Sequence, residues 1–418
     1  MKRIRIGLVG CGGMGTRHLH GLRSLTQTPF NNVDLVALCD INRETAELAA
    51  KEASRLLGVT PPVFTDLEEM ATKVEMDAVD VVTDPSVHHE VVCTALGLGL
   101  HVMVEKPMAI TVGACRLMMA AAKKNARVLS VAENYRRDPS ARLVNHLLNA
   151  GAIGKPYHAV LHYLSAGRQI FITPWRHLKN KGGPLVDMGV HFTDLIRYQL
   201  GDVQEVCGDV RLVEQTRTKS EVMSMDYEFY KKRFQAMDSE VPADAEDVSM
   251  AQLKMASGVT VNWVVGMGGY GSLGAQLILG AKGVCEGFGS RGARVKMRAG
   301  EGEELSQEEM LAIAEGFEVN PLSQHFFPTG ISHGDSEVDW KLIAMEYHEF
   351  AEAILEGKPV EVDGTEGMKD VAAIYAIFES SLAGRSVTMD EVESCGIYGY
   401  QADIDRALGI EYDHNSKR

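Results

Sequence analysis

Three side chains in this sequence could do acid–base chemistry on a hydroxyl group. Asp187 and His191 stand four residues apart, the spacing that puts two side chains on one helix face. A carboxylate so placed can fix the tautomer and orientation of an imidazole whose other nitrogen meets a substrate. Lys106 sits in Glu105-Lys106-Pro107, directly after the apolar run His101–Val104. An ammonium there can hydrogen-bond a reacting oxygen and stabilise an alkoxide as it forms. Imidazole titrates near neutrality unperturbed, whereas an amine needs burial or nearby positive charge to do so. Both assignments of the proton acceptor, Lys106 or His191, therefore stay open. No His, Cys and carboxylate cluster has metal-ligand spacing, so no metal is expected.

A second group carries backbone chemistry. Gly10-Cys11-Gly12-Gly13-Met14-Gly15 fits G-x-G-x-x-G and lies between the apolar run Ile4–Val9 and a helical pattern. Gly10 allows a tight turn, Gly12 lets the main chain approach a pyrophosphate, and Gly15 lets helix and strand pack closely. The helix N-terminus then offers free N–H groups to phosphate. Asp40 ends the next apolar run, Val33–Cys39, 25 residues after Gly15. An acid there accepts ribose hydroxyl protons and repels a 2′-phosphate, which favours NAD over NADP. The bland role for Asp40 is capping the following helix, and Arg43 bears on the same preference.

These residues need a scaffold, and the periodicity supplies one. Over residues 1–132, short β-branched runs (4–9, 33–39, 78–83, 101–104, 127–131) alternate with helical stretches (14–25, 43–57, 86–98, 112–124). This predicts a doubly wound α/β domain with a parallel sheet. Over 133–390 the pattern changes to longer alternating strands with few helices, an α+β domain on a mostly antiparallel open sheet. One sheet face is expected on helices and the other against a second subunit, giving a homodimer or homotetramer. Residues 214–247, with a Tyr227-Glu228-Phe229-Tyr230 cluster, read as an insertion, and 391–418 as a tail.

Together these motifs resemble the glucose–fructose oxidoreductase / inositol dehydrogenase / rhizopine-catabolism (Gfo/Idh/MocA) family. The likeness includes Glu105-Lys106-Pro107 and Gly182-Gly183-x-x-x-Asp187-x-Gly189-x-His191-x-x-Asp194. It extends to Thr83-x-x-x-x-His88, Asn134-x-Arg136-x-x-Pro139, Trp175-Arg176 and Gly364-x-Glu366-Gly367. Asp84-Pro85 departs from the commoner Pro-Asn order. The resemblance runs from residue 1 to about 390, leaving out the insertion and the tail.

It implies an N-terminal Rossmann domain, a nicotinamide cofactor in the cleft, and oxidation of a ring hydroxyl of a sugar, cyclic polyol or glycoside, or the reverse reduction. By resemblance Lys106 and His191 form the acid–base pair and Asp187 supports them. Thr83, Pro85, His88, Glu105, Asn134, Trp175 and Arg176 join Gly10, Gly12, Gly13, Met14, Gly15, Asp40 and Arg43 as candidate cofactor contacts. Tyr135, Arg136, Tyr163, Arg168, His177 and Asp194 are candidate substrate contacts. His162 and Arg137 are further candidates, and a long loop with His325, Phe326, Phe327 and His333 is a candidate lid. Two alternatives share the motifs: a glycoside hydrolase that retains NAD and works by transient oxidation, and a non-catalytic dinucleotide-binding regulator.

Composition narrows the partners. The 418 residues carry 42 Lys and Arg against 57 Asp and Glu, a formal charge of −15. Phosphate backbones attract basic surfaces, so nucleic acid is an unexpected partner. Seven scattered cysteines without a C-x-x-C pair fit a reducing cytoplasm. Neither a signal peptide nor a run long and apolar enough for a membrane span is read from the sequence.

Overall fold

A computed structural model of the chain describes residues 2–221 and 228–410. The first elements are β1 (Ile4–Val9), α1 (Gly13–Thr26), β2 (Val33–Cys39), α2 (Arg43–Leu57), β3 (Val63–Phe64), α3 (Leu67–Lys73), β4 (Ala78–Val81), α4 (His88–Gly97), β5 (His101–Glu105), α5 (Val112–Asn125) and β6 (Leu129–Ala132). The six strands lie in the order β3-β2-β1-β4-β5-β6, all parallel. The order reverses between β1 and β4, so the loops leaving their C-terminal ends diverge and open a crevice. β4 and β5 are buried almost throughout, as befits strands covered on both faces. Local chemistry sets the helix ends: Asn42 and Thr111 accept the N–H of Thr45 and Ala114, and Gly58 closes α2 in a left-handed conformation. β3 and α3 are too short for periodicity to register.

The remaining elements are α6 (Pro139–Asn149), β7 (Pro156–Ser165), α7 (Gly183–Leu200), β8 (Val203–Arg211), β9 (Thr216–Thr218), α8 (Glu228–Ala236), β10 (Glu240–Pro242), β11 (Val248–Met255), β12 (Thr260–Met267), β13 (Leu273–Gly280), β14 (Gly283–Glu286), β15 (Lys296–Ala299), α9 (Gln307–Ile313), α10 (Pro321–Phe326), α11 (Val338–Glu356), α12 (Gly364–Ala383), β16 (Val387–Thr388), α13 (Met389–Glu393) and α14 (Ala402–Ala407). Eight strands form a second sheet, β15-β14-β13-β7-β12-β11-β8-β16, in which only β7–β12 is a parallel pair. Burial alternates along β11, with Ser249, Ala251 and Leu253 inward and Met250, Gln252 and Lys254 outward. α7 and α12 pack on the inward face.

Three features depart from the simplest reading. Part of the loop read around His325 and Phe326 folds into α10, with Phe327 buried in the core cluster that joins α1 and α11. α11, late in the chain, packs on α1. The insertion builds β9, α8 and β10, while Tyr227 lies outside the described residues. Among the described residues no helix is long and apolar enough to cross a membrane.

Candidate active site

A cleft of about 1630 Å³ opens along the C-terminal ends of β1, β2, β4, β5 and β6 and extends over the second sheet. Its floor is the glycine turn. A Cβ on Gly10 would stand 2.5 Å from the Val82 carbonyl oxygen, and one on Gly15 would stand 2.3 Å from that of Gly10. Both positions therefore exclude a side chain; Gly10 also has φ +97°. Gly15 makes the helix–strand contact and does not line the cleft, whereas Gly10, Gly12, Gly13 and Met14 do.

Asp40 faces the turn from the end of β2. Its Oδ2 accepts the Cys11 N–H at 2.8 Å and its Oδ1 accepts the Asn42 N–H at 2.9 Å. The cap of α2 is Asn42, so capping is not what Asp40 does. Arg43 is exposed and does not line the cleft. Thr83, Pro85 and Asn134 line the opposite wall. Thr83 Oγ1 and Asn134 Oδ1 are buried there without a hydrogen-bond partner among the described residues. A glycine turn, an acid at the end of β2 and unpaired polar atoms on the wall opposite fit a dinucleotide.

Lys106 projects from the end of β5. Its Nζ donates to the Asp187 carbonyl oxygen at 2.9 Å and to Asp187 Oδ1 at 3.1 Å. Arg176 Nε donates to Asp187 Oδ2 at 2.9 Å, and its guanidinium stacks over Trp175 at 4.3 Å. Burial pushes the Asp187 carboxyl up, but the charges of Lys106 and Arg176 outweigh it and hold the group well below the ordinary carboxylate range. The chain delivers Asp187 by a sharp entry into α7: Gly182 and Gly183 have φ of +93° and +72°, and Pro184 follows. Gly189 has its own reason, since a Cβ would stand 2.5 Å from Ile374 of α12.

His191 joins the same cleft with a different partner from the expected one. Its Nδ1 lies 2.7 Å and 2.8 Å from the two carboxylate oxygens of Glu133, one residue beyond β6, while Asp187 serves Lys106 and Arg176. The ring stacks on Tyr135 with centroids 4.0 Å apart and planes 6° apart. Burial, then the charges of Lys106 and Arg291, push His191 well below its ordinary pKa. Burial lifts Glu133 to about 7. A neutral imidazole donating Nδ1–H to the carboxylate leaves Nε2 as an acceptor on the cleft side.

Tyr135 and Tyr163 line the cleft beside His191, with Gln276 of β13 and Ser290 and Arg291 of the loop between β14 and β15. Several sequence candidates do not reach it. His88 is fully buried, its Nδ1 3.0 Å from the Pro107 carbonyl and its Nε2 3.2 Å from that of Thr83, so it ties two loops together. Arg136 and Asp194 pair inside the protein, with Nε donating to Oδ1 at 2.8 Å. His177 is buried and accepts the Phe171 N–H through Nε2 at 2.9 Å. Arg168 is exposed, with Tyr270 beneath its guanidinium at 4.8 Å. His162 sits on the outward face of β7 beside Asn262. Arg137 is buried against Glu349 and Glu346.

Glu105 lines the cleft, and its Oε1 reaches His18 Nε2 at 3.3 Å inside the protein. His18 Nδ1 lies 2.7 Å from Asp80 Oδ2, which also accepts the Tyr347 hydroxyl of α11. Glu133, Arg291 and this His18 network were missed in the sequence. Position directly after a parallel strand was the one available signal for Glu133.

Comparison with known proteins places both domains in one family. The family model described as the oxidoreductase family, NAD-binding Rossmann fold, matches residues 4–133, and the GFO/IDH/MocA C-terminal domain matches residues 141–286. D-apiose dehydrogenase of Paraburkholderia graminis is 30% identical over 203 residues, covering 49% of this chain and 51% of that protein. D-glucoside 3-dehydrogenase of Escherichia coli is 29% identical over 202 residues, covering 47% and 54%. The chain thus spans about half the length of these curated relatives. A levoglucosan dehydrogenase in complex with NADH and L-sorbose superposes over 93% of this chain and 100% of its own, with TM-score 0.73 and 22% identity, a likeness of fold.

Proposed function

The chain belongs to the Gfo/Idh/MocA oxidoreductase family, and from that premise we propose that it is an NAD(H)-dependent dehydrogenase of a ring hydroxyl in a sugar, cyclic polyol or glycoside, or the corresponding reductase. One observation carries the reading: Lys106, held by Asp187, and His191, held by Glu133, open into the same cleft as the glycine turn and Asp40. Gly10, Gly12 and Gly13 would hold the cofactor's diphosphate, Asp40 its ribose, and Thr83, Asn134, Trp175 and Arg176 the wall beside them. When bound, the nicotinamide supplies the hydride acceptor or donor.

The chain's own groups do the rest. The Lys106 ammonium hydrogen-bonds the substrate oxygen and stabilises negative charge on it. His191 Nε2 takes the hydroxyl proton, with Glu133 fixing the ring through Nδ1. Tyr135 packs flat against that ring and limits its rotation. Tyr163, Gln276 and Arg291 would border the substrate.

A panel of sugars, inositols and glycosides incubated with NAD and followed by nicotinamide absorbance tests the reading. Net NADH formation on at least one of them is the expected result. Release of aglycone from a glycoside with no net NADH would replace it by a hydrolase. We further infer that the outward face of the second sheet is covered by another copy of the chain.

A further inference from the structure

The insertion helix α8 lies across the turn proposed to hold the diphosphate. A Cβ on Gly12 would stand 3.2 Å from the Phe229 ring, and one on Gly13 would stand 2.0 Å from the Tyr230 ring. The two rings meet edge to face with centroids 5.5 Å apart. On the far wall of the groove, Lys232 Nζ pairs with Glu44 of α2 at 2.6 Å. α8 thus touches both sides of the groove, α1 and α2.

Arg233 stands one turn after Phe229 and also lines the cleft, its guanidinium 5.9 Å from the Phe229 ring centroid. No carboxylate among the described residues pairs with it. Burial, then the neighbouring charge of Arg176, weaken its hold on its proton, and the attraction of Tyr230 and Asp84 does not outweigh them. The groove therefore holds an apolar ring over amides suited to phosphate, beside a guanidinium with no ion pair among the described residues. A phenyl ring is a poor acceptor for those N–H groups, and a diphosphate is a strong one.

We propose, resting on the dinucleotide reading above, that α8 is a gate on the cofactor: Phe229 covers the Gly12 turn in the free protein, and Arg233 binds the diphosphate once that ring is displaced. The two residues then act in opposite senses. Phe229 slows entry, and Arg233 slows departure.

Stopped-flow NADH fluorescence on the full chain separates the two. Phe229→Ala raises the association rate several-fold. Arg233→Ala raises the dissociation rate about tenfold, the loss of one charge-assisted contact, and Arg233→Lys restores part of it. ADP-ribose, which keeps the diphosphate, loses affinity in Arg233→Ala to the same degree, whereas adenosine does not. Melting temperatures of the cofactor-free variants equal to that of the parent show that these changes are local. Wild-type rates in both variants, with NADH binding intact, overturn the gate and leave the dinucleotide reading standing. A parent chain that binds no NADH overturns both.

Discussion

Because His191 is held well below its ordinary pKa by burial and by the charges of Lys106 and Arg291, its ring stays neutral across the physiological range. Its usefulness then depends on which nitrogen carries the proton, and Glu133 decides that. Ionised Glu133 accepts Nδ1–H and leaves Nε2 free to accept; protonated Glu133 must donate to Nδ1, which puts the ring proton on Nε2. Glu133 titrates at about 7, so hydroxyl oxidation is expected to fall as pH drops through about 7. A pH profile of kcat/KM checks this. In Glu133→Gln the limb near 7 disappears, and an unchanged limb would remove Glu133 from the mechanism. Lys106→Ala and His191→Ala are each expected to lower kcat by roughly 10²–10⁴-fold while NADH still binds by fluorescence; normal turnover in either clears that residue. Asp40→Ala is expected to narrow the preference for NAD over NADP, and an unchanged ratio of the two affinities would assign Asp40 to bracing the Cys11 N–H alone. The Lys106 and His191 positions were legible because a lysine after a parallel strand and a histidine on a helix face have recognisable places. The Asp187–His191 pairing was misread because i,i+4 spacing shows that two side chains share a face, not that they outcompete partners from other elements.

At the scale of elements, the parallel sheet was readable from alternating periods, and the open sheet from residues that alternate in burial. The second half of the chain was harder. Short helices such as α9 and α10 have too few turns to show a stripe, and nothing local in α11 says that it will pack on α1. Beside the apolar core, α11 meets the parallel sheet through a buried polar cluster of His18, Asp80, Glu105 and Tyr347 contributed by α1, β4, β5 and α11. Burial disfavours the charged His18 ring, but Asp80 and Glu105 outweigh it and raise its pKa to about 10. A raised folded-state pKa contributes stability that is complete below the unfolded value near 6.5 and is lost as pH climbs toward 10. His18→Gln is therefore expected to lower the melting temperature more at about pH 6 than at about pH 10. A melting-temperature deficit independent of pH would mean that the ring acts by packing and not by its charge. The same cluster holds Glu105 one residue from Lys106, so its loss is also expected to loosen the end of β5.

For the whole molecule, the two faces of the second sheet differ in what covers them. α7 and α12 cover one face. Across the other run cross-strand neighbours of mixed character: Met250 opposite Val264, Val264 beside His162, Val160 opposite Leu277, and Leu164 opposite Leu273. Met250 is 38% exposed and Leu273 47% exposed. Apolar side chains spread over that face are what the proposed second copy would cover, and a face that repeats identically on each copy favours closure by two-fold symmetry. The side chains facing the cleft, Tyr163 and Gln276, belong to the same strands β7 and β13, so a second copy against the outer face would stiffen the wall that borders the substrate. Light scattering on the purified chain is expected to give a mass twice or four times that of one chain at micromolar concentration. Placing lysines on facing strands, Met250→Lys with Val264→Lys, is expected to shift that mass toward one chain and to raise KM for the substrate more than it alters NADH binding, because the glycine turn lies on the other sheet. A monomeric parent would refute the association, and a charged double variant that keeps the oligomeric mass would move the interface to another face.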